Sequence, residues 1–184
     1  MFLILFSLEV LLLPNLKSIE SHLFISAILL SCSTALFAQP KSPRMKVEAE
    51  ISGVNIKVDF GAPSVNERTI WGELVPFNKV WRTGANEATT LEVDQAILIE
   101  GNELPAGKYA MFTIPSEENW TVIFNSDFNQ LGAYKYDETK NVVMFEVPIQ
   151  NAEHQEQMQI LVEENQLDIH WEKALVSMKI TGKG

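Results

Sequence analysis

The chain has 184 residues, a formal net charge of -10, 46% hydrophobic residues and one cysteine. That charge excludes a nucleic-acid binder, whose phosphate contacts need clustered Lys and Arg, and the scattered carboxylates read as a solvated surface. A lone cysteine excludes an internal disulfide framework, and the roughly 145 residues beyond the amino-terminal segment can bury a core without one.

Residues 1–13 are nearly all apolar, residues 14–22 are polar and include Lys17, and residues 23–38 are apolar again, ending in Ala35-Leu36-Phe37-Ala38-Gln39. A small-x-small ending behind a short apolar run reads as a secretory signal peptide cut between Ala38 and Gln39. Lys17 supplies the charged flank, so residues 1–13 are ascribed to a start codon set too far upstream, with a second short anchor as the alternative. Neither apolar run reaches the roughly 18 residues of a spanning helix. Cys32 lies in Leu29-Leu30-Ser31-Cys32, which loosely resembles a lipoprotein box. Membrane attachment is expected only if Cys32 is lipidated. The expectation is an export segment over residues 1–38 and a single periplasmic or secreted domain over residues 39–184.

Past residue 39 the pattern takes period two. Val54, Ile56, Val58 and Phe60 alternate with Asn55, Lys57 and Asp59, which predicts a half-buried strand. Residues 65–80 break the alternation, and Gly72 and Pro76 exclude a long helix there. This stretch is expected to be a long ordered loop held by Ile70, Trp71, Leu74, Val75 and Phe77, because each fixed residue costs about 1 to 2 kcal/mol of backbone entropy. Such loops often carry function.

The densest polar block follows, Trp81-Arg82-Thr83-Gly84-Ala85-Asn86-Glu87-Ala88-Thr89-Thr90. Gly84 permits a tight turn that would bring Arg82 and Glu87 together. As a structural clasp, the pair neutralises itself and Asn86 caps the turn. As a site, Arg82 binds a carboxylate or phosphate, Glu87 accepts a proton, and Asp59 and Arg68 stand at the lip.

Further short strands are predicted over residues 89–93, 96–100, 109–114, 120–125, 142–149, 157–162, 167–171 and 175–180. Turn residues such as Gly101-Asn102, Pro105-Ala106-Gly107 and Asn165 separate them. The pattern predicts an all-β chain, an antiparallel β-sandwich or flattened barrel with minimal helix. Between two of these strands, Tyr134, Lys135 and Tyr136 offer paired aromatics and a cation for a sugar or aromatic ligand. Asn125, Asp127 and Asn129 give only a weak calcium pattern, and His154 and His170 are too far apart for a zinc motif, so no metal and no cofactor are expected.

The run Ala62-Pro63-Ser64, Arg68, Gly72, Leu74-Val75-Pro76, residues 80–90, Leu104-Pro105-Ala106-Gly107-Lys108-Tyr109, Phe112-Thr113-Ile114-Pro115, Trp120-Thr121-Val122-Ile123 and Gly132-Ala133-Tyr134-Lys135-Tyr136 resembles the bacterial family named domain of unknown function 2911. The resemblance covers residues 41–180 and implies an exported envelope protein. It brings no activity with it.

Two functions fit these residues. One is a non-catalytic envelope module that binds a glycan, lipid head group or peptide through Arg68, Arg82, Asn86, Glu87, Tyr134, Lys135 and Tyr136. The other is a hydrolase or lyase with Glu87 as general acid or base, Asp59 as its partner and Arg82 stabilising negative charge. A small molecule, a glycan or an envelope protein is the expected partner.

Overall fold

The computed structural model describes residues 42–183. The expected signal segment, its expected cleavage point and Cys32 lie outside them. Ten strands follow one another along the chain: β1 (Arg44–Ile51), β2 (Val54–Gly61), β3 (Thr89–Val93), β4 (Ile97–Ile99), β5 (Asn102–Leu104), β6 (Gly107–Ile114), β7 (Asn119–Asn125), β8 (Asn141–Pro148), β9 (Gln150–Glu163) and β10 (Gln166–Gly182). A 3-10 turn at Glu138–Lys140 is the one helical element among the described residues.

Every pairing is antiparallel. One sheet has the order β1-β2-β3-β6-β7-β8 and the other β5-β4-β10-β9. The sheets do not close on each other, so the fold is a β-sandwich and not a flattened barrel. Ile149 alone links β8, at the rim of the six-stranded sheet, to β9, at the rim of the four-stranded one.

Alternation builds the core between the layers. Ile56, Val58, Leu91, Met111, Val122 and Phe124 point inward from one sheet and meet Ile99, Ile160, Ile169, Val176, Met178 and Ile180 from the other. The middle of the large sheet is covered on its outer face as well. There Ala88, Ala110, Phe112 and Ile123 form a second small core under Val80, Ala133 and Tyr136. Burial on both faces explains why β6 and β7 read as continuous apolar runs.

Two predicted strands merge. Residues 167–171 and 175–180 both belong to β10, whose first part pairs with β9 while Ile180 pairs with Ile99 of β4. Glu172 takes a left-handed φ of 56° at the junction, and β9 carries extra residues opposite it, since Glu172 pairs with Gln155 and Ala174 with Asn151. These bulges carry the ladder through the irregularity. Two-residue hairpins at Ser52-Gly53 and Glu100-Gly101 have positive φ at both positions, as a type I′ turn requires.

The loop between β2 and β3 is ordered as expected. Ile70 and Val75 are buried, Trp71 and Phe77 are half-buried, and Leu74 remains 45% exposed. The loop is anchored by indoles. Trp71 meets Trp81, Trp120 and Trp171 edge-on at centroid distances of 5.8, 4.8 and 5.7 Å, while Trp81 stacks on Trp171 at 5.9 Å. Edge-to-face pairs of this kind add about 0.5 to 1.5 kcal/mol each beyond burial.

The far end of the loop is pinned backbone to backbone. The Ala85 N–H donates to the Gly61 carbonyl at 3.1 Å, a Cβ on Gly61 would overlap the Ala85 carbonyl, and one on Gly84 would stand 2.7 Å from the Gly61 oxygen. Neither position admits a side chain. Gly61→Ala is therefore expected to cost about 2 to 3 kcal/mol, the upper range for forced overpacking, measured by urea unfolding followed by circular dichroism. A loss below about 0.5 kcal/mol, the usual surface value, would show that the turn is not held at this contact.

Candidate functional site

The turn after Trp81 is built from unusual backbone angles and buried hydroxyls. Trp81 extends the edge that β3 leaves open on β6, exchanging backbone bonds with Thr113 at 2.7 and 2.9 Å. Its indole N–H donates to the Gly84 carbonyl at 3.2 Å. Thr83, Gly84 and Asn86 have φ of 53°, 150° and 65°. The Thr89 hydroxyl donates to the Thr83 carbonyl at 2.6 Å, and the Thr83 and Thr113 hydroxyls lie 3.1 Å apart. Beyond the turn, Gly132 N–H donates to Asn86 and Ala88 N–H to Gln130, both at 3.0 Å. These bonds fix the Ala133-Tyr134 segment beside Arg82.

Glu87 meets Arg44 in place of Arg82. Arg44, on β1, donates from Nη1 to the Glu87 carbonyl at 3.1 Å and from Nη2 to the carbonyls of Asp59 and Ala88 at 3.1 and 3.2 Å. Its Nε pairs with the Asp59 carboxylate, and Nη1 lies 3.8 Å from the Glu87 carboxylate. Asp59 and Glu87 are brought together, as partners of one guanidinium. The clasp thus exists with a different cation, one that joins β1, β2 and the turn. Arg44 escaped the sequence reading because it lies 43 residues from Glu87, beyond the reach of any local turn rule.

Arg82 is left over. It is half-buried, and its Nε is sealed from solvent without a hydrogen-bond partner among the described residues. A buried donor left unpaired costs about 1 to 3 kcal/mol. Arg68 spends Nε on the Val65 carbonyl at 3.0 Å and Nη2 on the Ser64 carbonyl.

Two adjoining clefts flank Arg82 and share Leu74, Val75, Trp81 and Arg82 as walls. The first, of about 260 Å³, adds Ser42, Pro63, Arg68, Ala85, Asn86 and Trp171. The second, of about 320 Å³, adds Pro76, Lys79, Val80, Ala133 and Tyr134. Among the described residues no Asp or Glu lines either cleft, whereas the three other clefts each carry carboxylates, such as Asp59 and Glu92, Glu172, or Glu118. Arg68, Arg82, Asn86 and Tyr134 therefore line these clefts, while Asp59 and Glu87 do not. The sequence reading had not singled out Leu74, Lys79 or Ser42. Leu74 was taken for a packing residue, and its exposure at the shared rim is a tertiary outcome.

The second candidate segment is a series of turns, which separates its aromatics. Tyr136 packs edge-on against Phe112 at 5.1 Å and accepts a bond from the Asn141 amide at 2.7 Å. Tyr134 is 88% exposed, and Lys135 is exposed beside it. Gly132, at φ 68°, has no side chain to hold that ring away, since a Cβ there would stand 3.0 Å from the Tyr134 ring and 3.8 Å from Arg82 Nη1. Nearby, the Asn125 amide donates to Asp137 and Asn141, and its oxygen accepts from Asp127 N–H. Among the described residues no group of His, Cys, Asp or Glu is placed to hold a metal.

The chain belongs to the family described as protein of unknown function (DUF2911), whose model matches residues 42–180. Neither the curated proteins nor the solved structures yield a match.

The two arginines should respond in opposite ways to loss of charge. Arg44→Gln is expected to cost about 1 to 2 kcal/mol, reduced by its partial exposure, and Lys should not restore its forked contacts. Arg82→Gln should leave stability unchanged or raise it by up to about 1 kcal/mol, since it removes a half-buried cation with no counter-charge among the described residues. Denaturant midpoints of both variants decide this. A second expectation concerns pH. The Asp137 carboxyl is held below the usual range by the Thr139 hydroxyl and N–H, Asp94 by the Asn55 amide, and Glu156 by the Asn66 N–H. Their unfolded forms take up protons at higher pH than the folded ones, so the stabilisation is whole above the normal carboxylate pKa of about 4 and is lost as pH falls through the depressed values. Urea midpoints should hold level from pH 7 to about 5.5 and drop toward pH 3.

Proposed function

We propose that this DUF2911 domain is an exported, non-catalytic binding module whose ligand occupies the paired clefts around Arg82. The observation that carries the reading is Arg82 itself, a half-buried cation on the shared wall of two clefts that hold no carboxylate among the described residues. A guanidinium between carboxylate-free clefts is suited to meeting an anionic group of a ligand. The clefts lie near the lower end of the roughly 300 to 1,000 Å³ typical of small-molecule sites, and they combine apolar walls with a few directed polar groups. A glycan, a lipid head group or a short peptide remains the class of ligand.

The hydrolytic alternative has less support. A general acid or base must come within hydrogen-bond reach of the bond it acts on, and Glu87 lies on the Arg44 side of the turn, 63% exposed and outside both clefts. Asp59 is paired with Arg44 and Lys46.

Amide chemical shifts of the full chain, titrated with panels of envelope glycans, lipid head groups and peptides, test the reading. Shifts should cluster at Arg68, Leu74, Arg82, Asn86 and Tyr134, and the ligand should be recovered unchanged. Ligand consumption that disappears in Glu87→Gln would establish the enzyme instead. Shifts that all fall outside these residues would remove the clefts from consideration.

A further inference from the structure

Arginines are unevenly placed in this molecule. Arg44, Arg68 and Arg82 are its arginines, and all three stand at the turn that closes the loop between β2 and β3. Arg44 is consumed by Asp59 and Glu87. Arg68 keeps its Nη1 out of the bonds to Val65 and Ser64. Arg82 meets no carboxylate in either cleft among the described residues. Arg68 and Arg82 line the same 260 Å³ cleft, with the Asn86 and Ser42 side chains on its wall. Guanidinium groups are the side chains suited to forked recognition of carboxylate and phosphate oxygens, and a low-dielectric wall of Trp81, Trp171 and Val75 strengthens that attraction.

The second cleft has another character. Its outer wall is the Ala133-Tyr134 turn, where an aromatic ring 88% exposed stands over Gly132 within reach of Arg82. A Tyr this exposed buries little of its ring in the fold. It offers a flat apolar face with a polar edge, the surface on which a sugar ring lies. The backbone around both clefts is already bonded: Trp81 to Thr113, Ala85 to Gly61, Val65 to Glu156, Met158 to Pro63 and Gly132 to Asn86. An extended peptide recognised by strand addition would find no free edge there.

We infer that the ligand is an acidic sugar, a saccharide ring bearing a carboxylate or phosphate, with the oxyanion between Arg82 and Arg68 and the ring against Tyr134. This rests on the reading of the paired clefts as the binding site. The shared Arg82 wall sets the order of the two parts: the anion goes inward, toward Trp171 and Asn86, and the ring outward, toward Lys79 and Tyr134. Carboxylate and phosphate meet the same guanidinium chemistry, so the acid group is separated by experiment.

Isothermal titration of the full chain with glucuronate, glucose 6-phosphate, glucose and inorganic phosphate tests the inference. At least one acidic sugar should bind about tenfold or more tightly than both glucose and inorganic phosphate, and the tighter of the two identifies the acid group. Arg82→Gln should weaken that binding by about tenfold or more, the loss expected for hydrogen bonds to a charged group. Tyr134→Ala, at a surface position that cannot disturb folding, should weaken the acidic sugar several-fold and leave inorganic phosphate unchanged. Equal binding of glucose would overturn the acidic-sugar inference while leaving the clefts as a glycan site. Equal binding of inorganic phosphate would reduce the site to an anion pocket. If neither acidic sugar binds, the inference fails, and the chemical shifts produced by other ligands decide separately whether the clefts bind anything.

Discussion

Backbone contact between Gly61, at the end of β2, and Gly84-Ala85 is the constraint on which this molecule's working end depends. Two segments of the chain come within hydrogen-bond distance at a point where neither Gly61 nor Gly84 tolerates a Cβ. That closeness sets the height of the turn above the large sheet. From there Trp81 reaches down to the other indoles, Asn86 reaches out to hold Gly132, and the Glu87 and Ala88 carbonyls face Arg44. A turn standing a side chain's width further away would break the Arg44 clamp and open the clefts.

The three arginines illustrate how one residue type is put to different uses within a short distance. Arg44 faces two carboxylates and three carbonyls, so its charge is matched and its role is to join strands. Arg68 is braced by the carbonyls of its own loop, which orients the guanidinium without neutralising it. Arg82 has neither. Evenly matched charges make scaffolding, and an unmatched one costs stability unless a partner arrives. The gradient from Arg44 to Arg82 is the difference between a clasp and a receptor, drawn in hydrogen bonds.

Legibility in the sequence followed the range of the interaction. Strands β2, β3, β6, β7 and β8 could be read because their burial alternates or runs unbroken within a few residues. β1 carries a weaker signal although Met45, Val47, Ala49 and Ile51 alternate with Lys46, Glu48 and Glu50, because at this sheet edge Met45 is exposed, Val47 and Ala49 are only partly buried, and Ile51 alone is fully buried. The first half of β9, rich in Gln, Glu and Asn, carries no pattern, since bulges interrupt its pairing. At the site, local turn logic located the block and misassigned the partner: it could connect Arg82 to Glu87 five residues on, and it had no means of reaching Arg44. The same limit applied to Tyr134 and Tyr136. Parity along an extended segment would place them on one face, and the turn the chain makes there sends one into the core and the other to solvent.

The indole cluster carries one more implication. All four tryptophans of the chain sit in a single group, with centroids no more than 6.0 Å apart for the pairs in contact, and Trp81 and Trp171 form part of a cleft wall. At such spacings excitation passes freely from ring to ring, so the intrinsic emission of the protein reports on one place in the molecule. That place borders Arg82. An anion settling against the guanidinium changes the field across rings that share their excited state, and the protein's own ultraviolet emission becomes an optical gauge of whether the cleft is empty or filled.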